Sequence, residues 1–303
     1  MTAEVGARHL EEGVHMRVDI NITNYSWPQT PGAELSRIVQ RADDGGLDTV
    51  WVADHLLQVD PTSTLEAEML EAYTTLGFLA GQSQHVRLGT MVSAATYRPP
   101  ALLIKAVTTL DVLSNGRAWL GIGSGYSESE CQALGLPLPP VSERFARLDE
   151  ILRLALQMWT GDESPFEGSH YQLERPVNIP QPVSQPHPPI LIGGMGENKT
   201  LRMVARHADA CNLFDVPDGG ATLRHKLSVL AKHCDAEGRA YSDITTTVST
   251  RFEPGEAPSE FADRCHALRE LGFEHVVAIR SGPWTVADVT TLAKARELLA
   301  KGP

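Results

Sequence analysis

Basic residues are in short supply: 26 Lys and Arg stand against 38 Asp and Glu, a formal charge of −12 over 303 residues. Nucleic acid and anionic lipid are held mainly by Lys and Arg on phosphate, so this balance argues against a general affinity for either, though not against a local pocket for an anionic ligand. Cysteine is scarce as well. Cys131, Cys211, Cys234 and Cys265 form no C-x-x-C pair, which fits free thiols in a reducing cytosol and excludes a disulfide scaffold. No run approaches the roughly 20 apolar residues of a membrane span. The opening MTAEVGARHLEEGVH has acids where a signal peptide needs a basic patch and an apolar stretch. The expected location is therefore the cytoplasm, with residues 1–15 a flexible extension. H-E-x-x-H and G-x-S-x-G are both missing, and His170, His187, His207 and His275 show no ligand spacing. No metal site is expected, and a serine hydrolase is disfavoured.

What is present is an ordinary globular composition, 42% hydrophobic and 21% charged, arranged in a repeating rhythm. MRVDINI (16–22) reads as a strand, and Leu35, Ile38, Val39 and Ala42 follow at helical spacing before Gly45-Gly46. TVWVAD (49–54), VRLGTMV (86–92), AWLGIGSG (118–125), PILIGG (189–194), ACNLFD (210–215), ITTTVSTRF (244–252) and HVVAIR (275–280) are the further strands, each trailed by a helical pattern. The clearest helix is SERFARLDEILRLALQMW, with Phe145, Leu148, Ile151, Leu152, Ala155 and Trp159 on one face and Ser142 in place for an N-cap. Residues 161–189 break the rhythm with prolines, and Gly168 suggests a small hairpin. Eight strand-helix pairs predict a single α/β domain over 16–303, a (β/α)8 TIM barrel with an insertion of about 161–189 before the fifth strand. Chemistry then belongs at the carboxyl ends of the strands.

Asp54-His55 stands at such an end. A carboxylate beside an imidazole can orient it or raise its pKa for acid-base work; equally, the Asp can cap a turn and the His fill a rim contact. The turn Gly121-Ile122-Gly123-Ser124-Gly125-Tyr126 lets backbone N–H groups approach a ligand closely, or is a tight turn with none. A dinucleotide or S-adenosylmethionine site would place it after the first strand, not the fourth. Gly193-Gly194-Met195-Gly196 runs into a helix start at Glu197-Asn198-Lys199-Thr200, where free N–H groups attract phosphate, or where a strand simply turns into a helix. Thr90-Met91-Val92-Ser93 shows by spacing alone only a strand followed by a helix start.

The ordered set GLDTVWVADHL, VRLGTMVSAATYRPP, GRAWLGIGSGYSESE, PPVSERFARLDEIL and PHPPILIGGMG closely resembles the luciferase-like monooxygenase family of flavin and deazaflavin enzymes, from Met16 to about Arg280. The resemblance implies a (β/α)8 barrel with an insertion before the fifth strand, bearing FMN or coenzyme F420 across its top. The Asp-His pair resembles the F420 branch, where many FMN members show Glu-His. It implies that Asp54 lies against the deazaflavin ring, that His55 donates or accepts the proton, and that a non-proline cis peptide at Met91-Val92 forms a bulge behind the ring. Ser124-Gly125 and Gly193-Gly194 match positions holding the ribityl chain and phosphate, with Tyr126 counted beside them at the cofactor. Sugar-phosphate dehydrogenases of the family have glutamate where this chain has Tyr126, which puts glucose 6-phosphate chemistry in doubt.

The function this implies is F420-dependent oxidoreduction: hydride exchange between the deazaflavin and a small organic substrate, with residues 161–189 as a lid that excludes water. The alternatives are an FMN-dependent monooxygenase and, more remotely, a non-catalytic deazaflavin-binding protein. Tyr25, Trp27, Tyr126, Phe214 and Trp284 are candidate apolar walls for the substrate. The resemblance also implies a homodimer.

Overall fold

The computed structural model describes residues 16–301; the proposed extension, 1–15, lies outside them. Strand and helix alternate from the start, with β1 (Arg17–Ile22), α1 (Pro31–Asp44), β2 (Thr49–Val52), α2 (Ala72–Ala80), β3 (Arg87–Thr90), β4 (Ser93–Ala94), α3 (Pro100–Leu113) and β5 (Ala118–Gly123). Next come α4 (Glu128–Leu134), α5 (Val141–Thr160), β6 (Phe166–Glu167), β7 (Gln172–Leu173), β8 (Ile190–Gly193), α6 (Thr200–His207) and β9 (Ala210–Phe214). The chain ends with α7 (Ala221–Glu237), β10 (Thr245–Arg251), α8 (Pro258–Glu270), β11 (His275–Ile279) and α9 (Val286–Ala300).

Eight strands, β1, β2, β3, β5, β8, β9, β10 and β11, pair in parallel and close into a barrel, because β1 bonds to both β2 and β11 while β3 reaches β5. This is the (β/α)8 barrel expected from the rhythm. Strands covered on both faces must be apolar nearly throughout, and β5, AWLGIG, is buried at every position. The first helix meets its pattern too: Leu35, Ile38, Val39 and Ala42 are its buried residues. On α5 Leu148, Ile151, Leu152, Ala155 and Trp159 are buried, while Phe145 stays partly open beneath the Lys199 ammonium, 5.4 Å from the ring centre. Ser142 does not cap this helix. Pro140 precedes it and Val141 already lies inside, so the prolines set the start and no side chain bonds to the first turn.

The register shows where the third strand deforms. Gly89 pairs with Trp119 and Ser93 with Ile122, so four steps along the third strand oppose three along β5. The surplus falls at Met91-Val92, whose peptide bond is cis, as the resemblance implied; β4 is this strand resumed beyond the bulge. Gly121 is the reason it fits. A Cβ there would come within 1.7 Å of the Thr90 carbonyl oxygen, backbone that cannot yield. Gly121→Ala is therefore expected to cost about 3 kcal/mol or more by overpacking; a urea midpoint equal to wild type would show that the contact does not constrain the strand.

Residues 161–189 include the expected hairpin, β6 against β7. They are not a lid. Glu150 of α5 accepts the Ser169, His170 and Tyr171 amides, and Asp111 of α3 accepts those of Val183 and Ser184. The excursion is bonded to the outer helices, and none of it lines the cavity described next.

Candidate active site

A cavity of about 510 Å³ opens at the carboxyl ends of the strands. Asp54, His55, Met91, Val92, Ser124, Gly125, Tyr126, Gly193 and Gly194 all line it. Register accounts for their meeting: Ile22 pairs with Val52, Ala94 with Gly123, and Gly193 with Asn212, which brings the strand ends to one rim. Phe214 lines the cavity as expected of a wall. Tyr25, Trp27 and Trp284 do not; they are buried, the Trp27 indole donating to the Trp284 carbonyl and the Trp284 indole to that of Asn21. These rings carry the fold beneath the site.

Asp54 and His55 do not serve each other. The Asp54 carboxylate accepts both arms of the Arg98 guanidinium, Nη1 to Oδ2 at 2.6 Å and Nη2 to Oδ1 at 2.9 Å. Arg98 also reaches Glu71 Oε1 at 2.5 Å and lies over the Tyr73 ring at 4.9 Å. Tyr73 continues inward through Ser93 to Thr90. Burial opposes its charge, yet the Asp54 and Glu71 carboxylates hold Arg98 firmly protonated.

The carboxylate that orients His55 is Glu130, on the short helix α4. Its Oε2 lies 2.7 Å from His55 Nδ1 and 2.5 Å from the Tyr97 hydroxyl, and its Oε1 accepts the Leu56 and Leu57 amides. Burial works against its ionisation, but the bonds from His55, Tyr97 and the Leu56 amide hold its pKa down at about 2. An ionised carboxylate only accepts, so His55 Nδ1 carries a proton and, in the neutral ring, Nε2 keeps its lone pair. Tyr126 stands 3.2 Å from that nitrogen. Glu130 was missed because its tie to His55 spans 75 residues. The local signal was Ser127-Glu128-Ser129-Glu130, whose S-x-x-E spacing marks a helix start; here Ser127 makes no cap bond and the glutamate turns to the histidine.

This depressed pKa has a consequence for stability. The folded value is below the ordinary 4.5, so the stabilisation is present above about pH 4.5 and is lost as pH falls toward 2. Between those limits unfolding free energy is expected to fall less steeply in Glu130→Gln than in wild type, by a few kcal/mol in total. Denaturant titrations at pH 5, 4 and 3 check this, and equal slopes would contradict it.

Glycines shape the opposite wall. A Cβ on Gly123 or Gly193 would sit 3.0 Å from a Val92 methyl, so the two absent side chains leave room for Val92 to form a shelf between β5 and β8. Gly125 and Gly194 have φ of +79° and +124°, conformations open to glycine. Thr200, first residue of α6, lines the cavity beside them. Asn21 is 4% exposed, and its Oδ1 has no partner among the described residues. Buried acceptors are rarely left so, and this one belongs to a residue of the cavity wall. At the other end of the barrel Asp19, Asp48 and His275 bring ligand-type atoms within 4.8 Å of one another, a meeting their spacing did not show; Asp19 there accepts the Trp51 indole and the Thr49 amide.

The sequence profile of the luciferase-like monooxygenases matches residues 16–299. An F420-dependent glucose-6-phosphate dehydrogenase of Kineococcus radiotolerans is 32% identical over 232 residues, 76% of this chain and 66% of that protein, so the chain spans just under two thirds of it. A protein of the same description from Beutenbergia cavernae is 35% identical over 78% of the chain and 70% of its own length. Among solved structures, an F420-dependent secondary alcohol dehydrogenase in complex with an F420-acetone adduct superposes with a TM-score of 0.79 at 16% identity, covering 93% of this chain and 98% of that one. At that identity the likeness is one of fold.

Proposed function

The chain belongs to the luciferase-like monooxygenase family, and on that premise we propose that it is an oxidoreductase that uses coenzyme F420 on a small organic substrate. The observation that carries the reading is the cavity itself. The Val92 shelf, the glycine cradle beside the α6 N-terminus and the unpartnered Asn21 Oδ1 provide a flat support, a close approach for phosphate and an acceptor for a ring N–H. These suit the deazaflavin's planar ring, phosphate and pyrimidine edge. Asp54, Met91, Val92 and Tyr126 border the ring, and Ser124, Gly125, Gly193 and Gly194 hold the ribityl chain and phosphate. Both of the relatives described above are named for the same coenzyme.

When bound, the deazaflavin supplies a ring carbon that exchanges hydride. The protein's part is to place substrate against it and to handle a proton. Glu130 fixes the tautomer of His55 so that Nε2 faces the cavity as base, or as acid once protonated. Glucose 6-phosphate, named for the relatives, is not carried over, since Tyr126 stands where the sugar-phosphate enzymes have their glutamate.

In the same reading the protein works in the cytoplasm as a homodimer. Four free, buried cysteines suit a reducing compartment, and among the described residues no helix is long and apolar enough to cross a membrane. Leu113, Ile179 and Val183 expose 69%, 72% and 47% of their surface on α3 and the excursion beside it, the kind of face a partner covers. Sedimentation as a monomer would remove the dimer. For the cofactor, the purified protein is titrated with F420 and with FMN, following fluorescence quenching. Tight F420 binding is expected; tight FMN binding without affinity for F420 would overturn the assignment.

A further inference from the structure

The cavity divides along the strand order. Residues assigned to the cofactor come from the ends of β1, β2, the third strand, β5 and β8, while the remaining arc, β9 to β11, contributes Asn212, Phe214, Arg251, Ile279, Arg280 and Ser281. We propose that this second arc is the substrate subsite and that it takes a small organic anion, a carboxylate or phosphate on an apolar body, held by Arg280 with Arg251 at the entrance. The inference rests on the glycine-lined half being the cofactor's.

Arg280 is the anomaly that points there. Its side chain is only 13% exposed, and its Nε lies 3.2 Å from Asp288 Oδ2 without the alignment of a hydrogen bond. Asp288 is already engaged in the capping box of α9, accepting the Thr285 amide and hydroxyl. Two other sheltered arginines are fully engaged: Arg98 spends its fork on two carboxylates, and Arg117 donates to Ser114, Ser83, Val86 and Ala80. Arg280 has five donors in a planar fork and, among the described residues, no hydrogen bond from any of them is found. Such a group in a cavity wall is built for a partner from outside, and its geometry matches carboxylate or phosphate oxygens.

The surrounding charges agree. Arg251, just beyond on the neighbouring strand, is 68% exposed, with Glu253 no nearer than 3.9 Å. Two acids line the same cavity, and both are committed. Asp54 is neutralised by Arg98, and Asp60 spends its two oxygens on Thr62, Asn24 and the Gly282 amide. A chain of net charge −12 thus keeps a cationic arc inside its cavity. Phe214, 49% exposed, and Ile279 supply the apolar wall beside it.

The test is calorimetric titration of the F420-loaded protein with inorganic phosphate and, separately, with acetate. Wild type is expected to bind at least one, and the tighter probe identifies the anion class. Arg280→Gln should weaken that binding about 10-fold or more, Arg280→Lys less, and Arg251→Gln about 3-fold, with F420 affinity unchanged throughout. Wild type binding neither probe would overturn the proposal, as would Arg280→Gln and Arg280→Lys both binding like wild type. Loss of F420 affinity in these variants, with phosphate competing against F420, would give the arc to the cofactor and also overturn it. If wild type bound no F420, the cofactor reading would fall, and the same titrations on the free protein would still decide the role of Arg280.

Discussion

Replacing Arg98 with alanine is expected to lower the unfolding free energy by about 3–5 kcal/mol, the cost of leaving a buried carboxylate without its partner. Asp54 is 1% exposed and has both oxygens on the Arg98 fork. Without the guanidinium, the carboxylate must either stay charged in a dry setting or take up a proton. The loss should therefore be smaller in Arg98→Ala combined with Asp54→Asn than in Arg98→Ala alone, since the double variant has no charge to strand. Urea denaturation of the three variants decides it; a loss under 1 kcal/mol for Arg98→Ala would mean that water reaches Asp54.

The second large effect is on turnover. His55→Ala should reduce kcat by roughly 100-fold or more while F420 binds within about 3-fold of wild type, because a proton-handling residue acts in the transition state and not in holding the cofactor. The geometry adds a finer expectation. Glu130→Gln retains a hydrogen-bond acceptor for Nδ1 but loses the charge-assisted bond that fixes the ring, so kcat should fall by less than in His55→Ala with F420 binding unchanged. Unchanged turnover in His55→Ala would remove the histidine from the chemistry and leave it a wall of the pocket.

These two expectations sit on opposite sides of what the sequence discloses. The strands were legible because a barrel strand is apolar throughout and its neighbours are helices of period 3.6, and His55 was legible because it ends such a strand. Its orienting partner was not. The adjacent Asp54 looked like the natural carboxylate, yet successive residues leaving a strand point to opposite sides, so Asp54 turned to Arg98 and His55 to Glu130. The aromatic walls failed for a related reason. Tyr25, Trp27 and Trp284 lie just past strand ends and Phe214 at one, but the loops of β1 and β11 fold inward and close on one another through indole-to-carbonyl bonds. Prolines in 161–189 correctly ruled out regular helix, but composition carries no direction, and only the docking onto Glu150 and Asp111 shows that this segment points away from the mouth.

That outward docking bears on how the protein trades material with solution. With the excursion fastened to the outer helices, the stretch after β2 lines the cavity at Val59, Asp60 and Pro61, where Asp60 buttons the chain to Asn24 and the Gly282 amide. A rim buttoned in place offers an open doorway instead of a hinged one. A ligand of the cavity is then retained by the grip of its walls, with no door to swing.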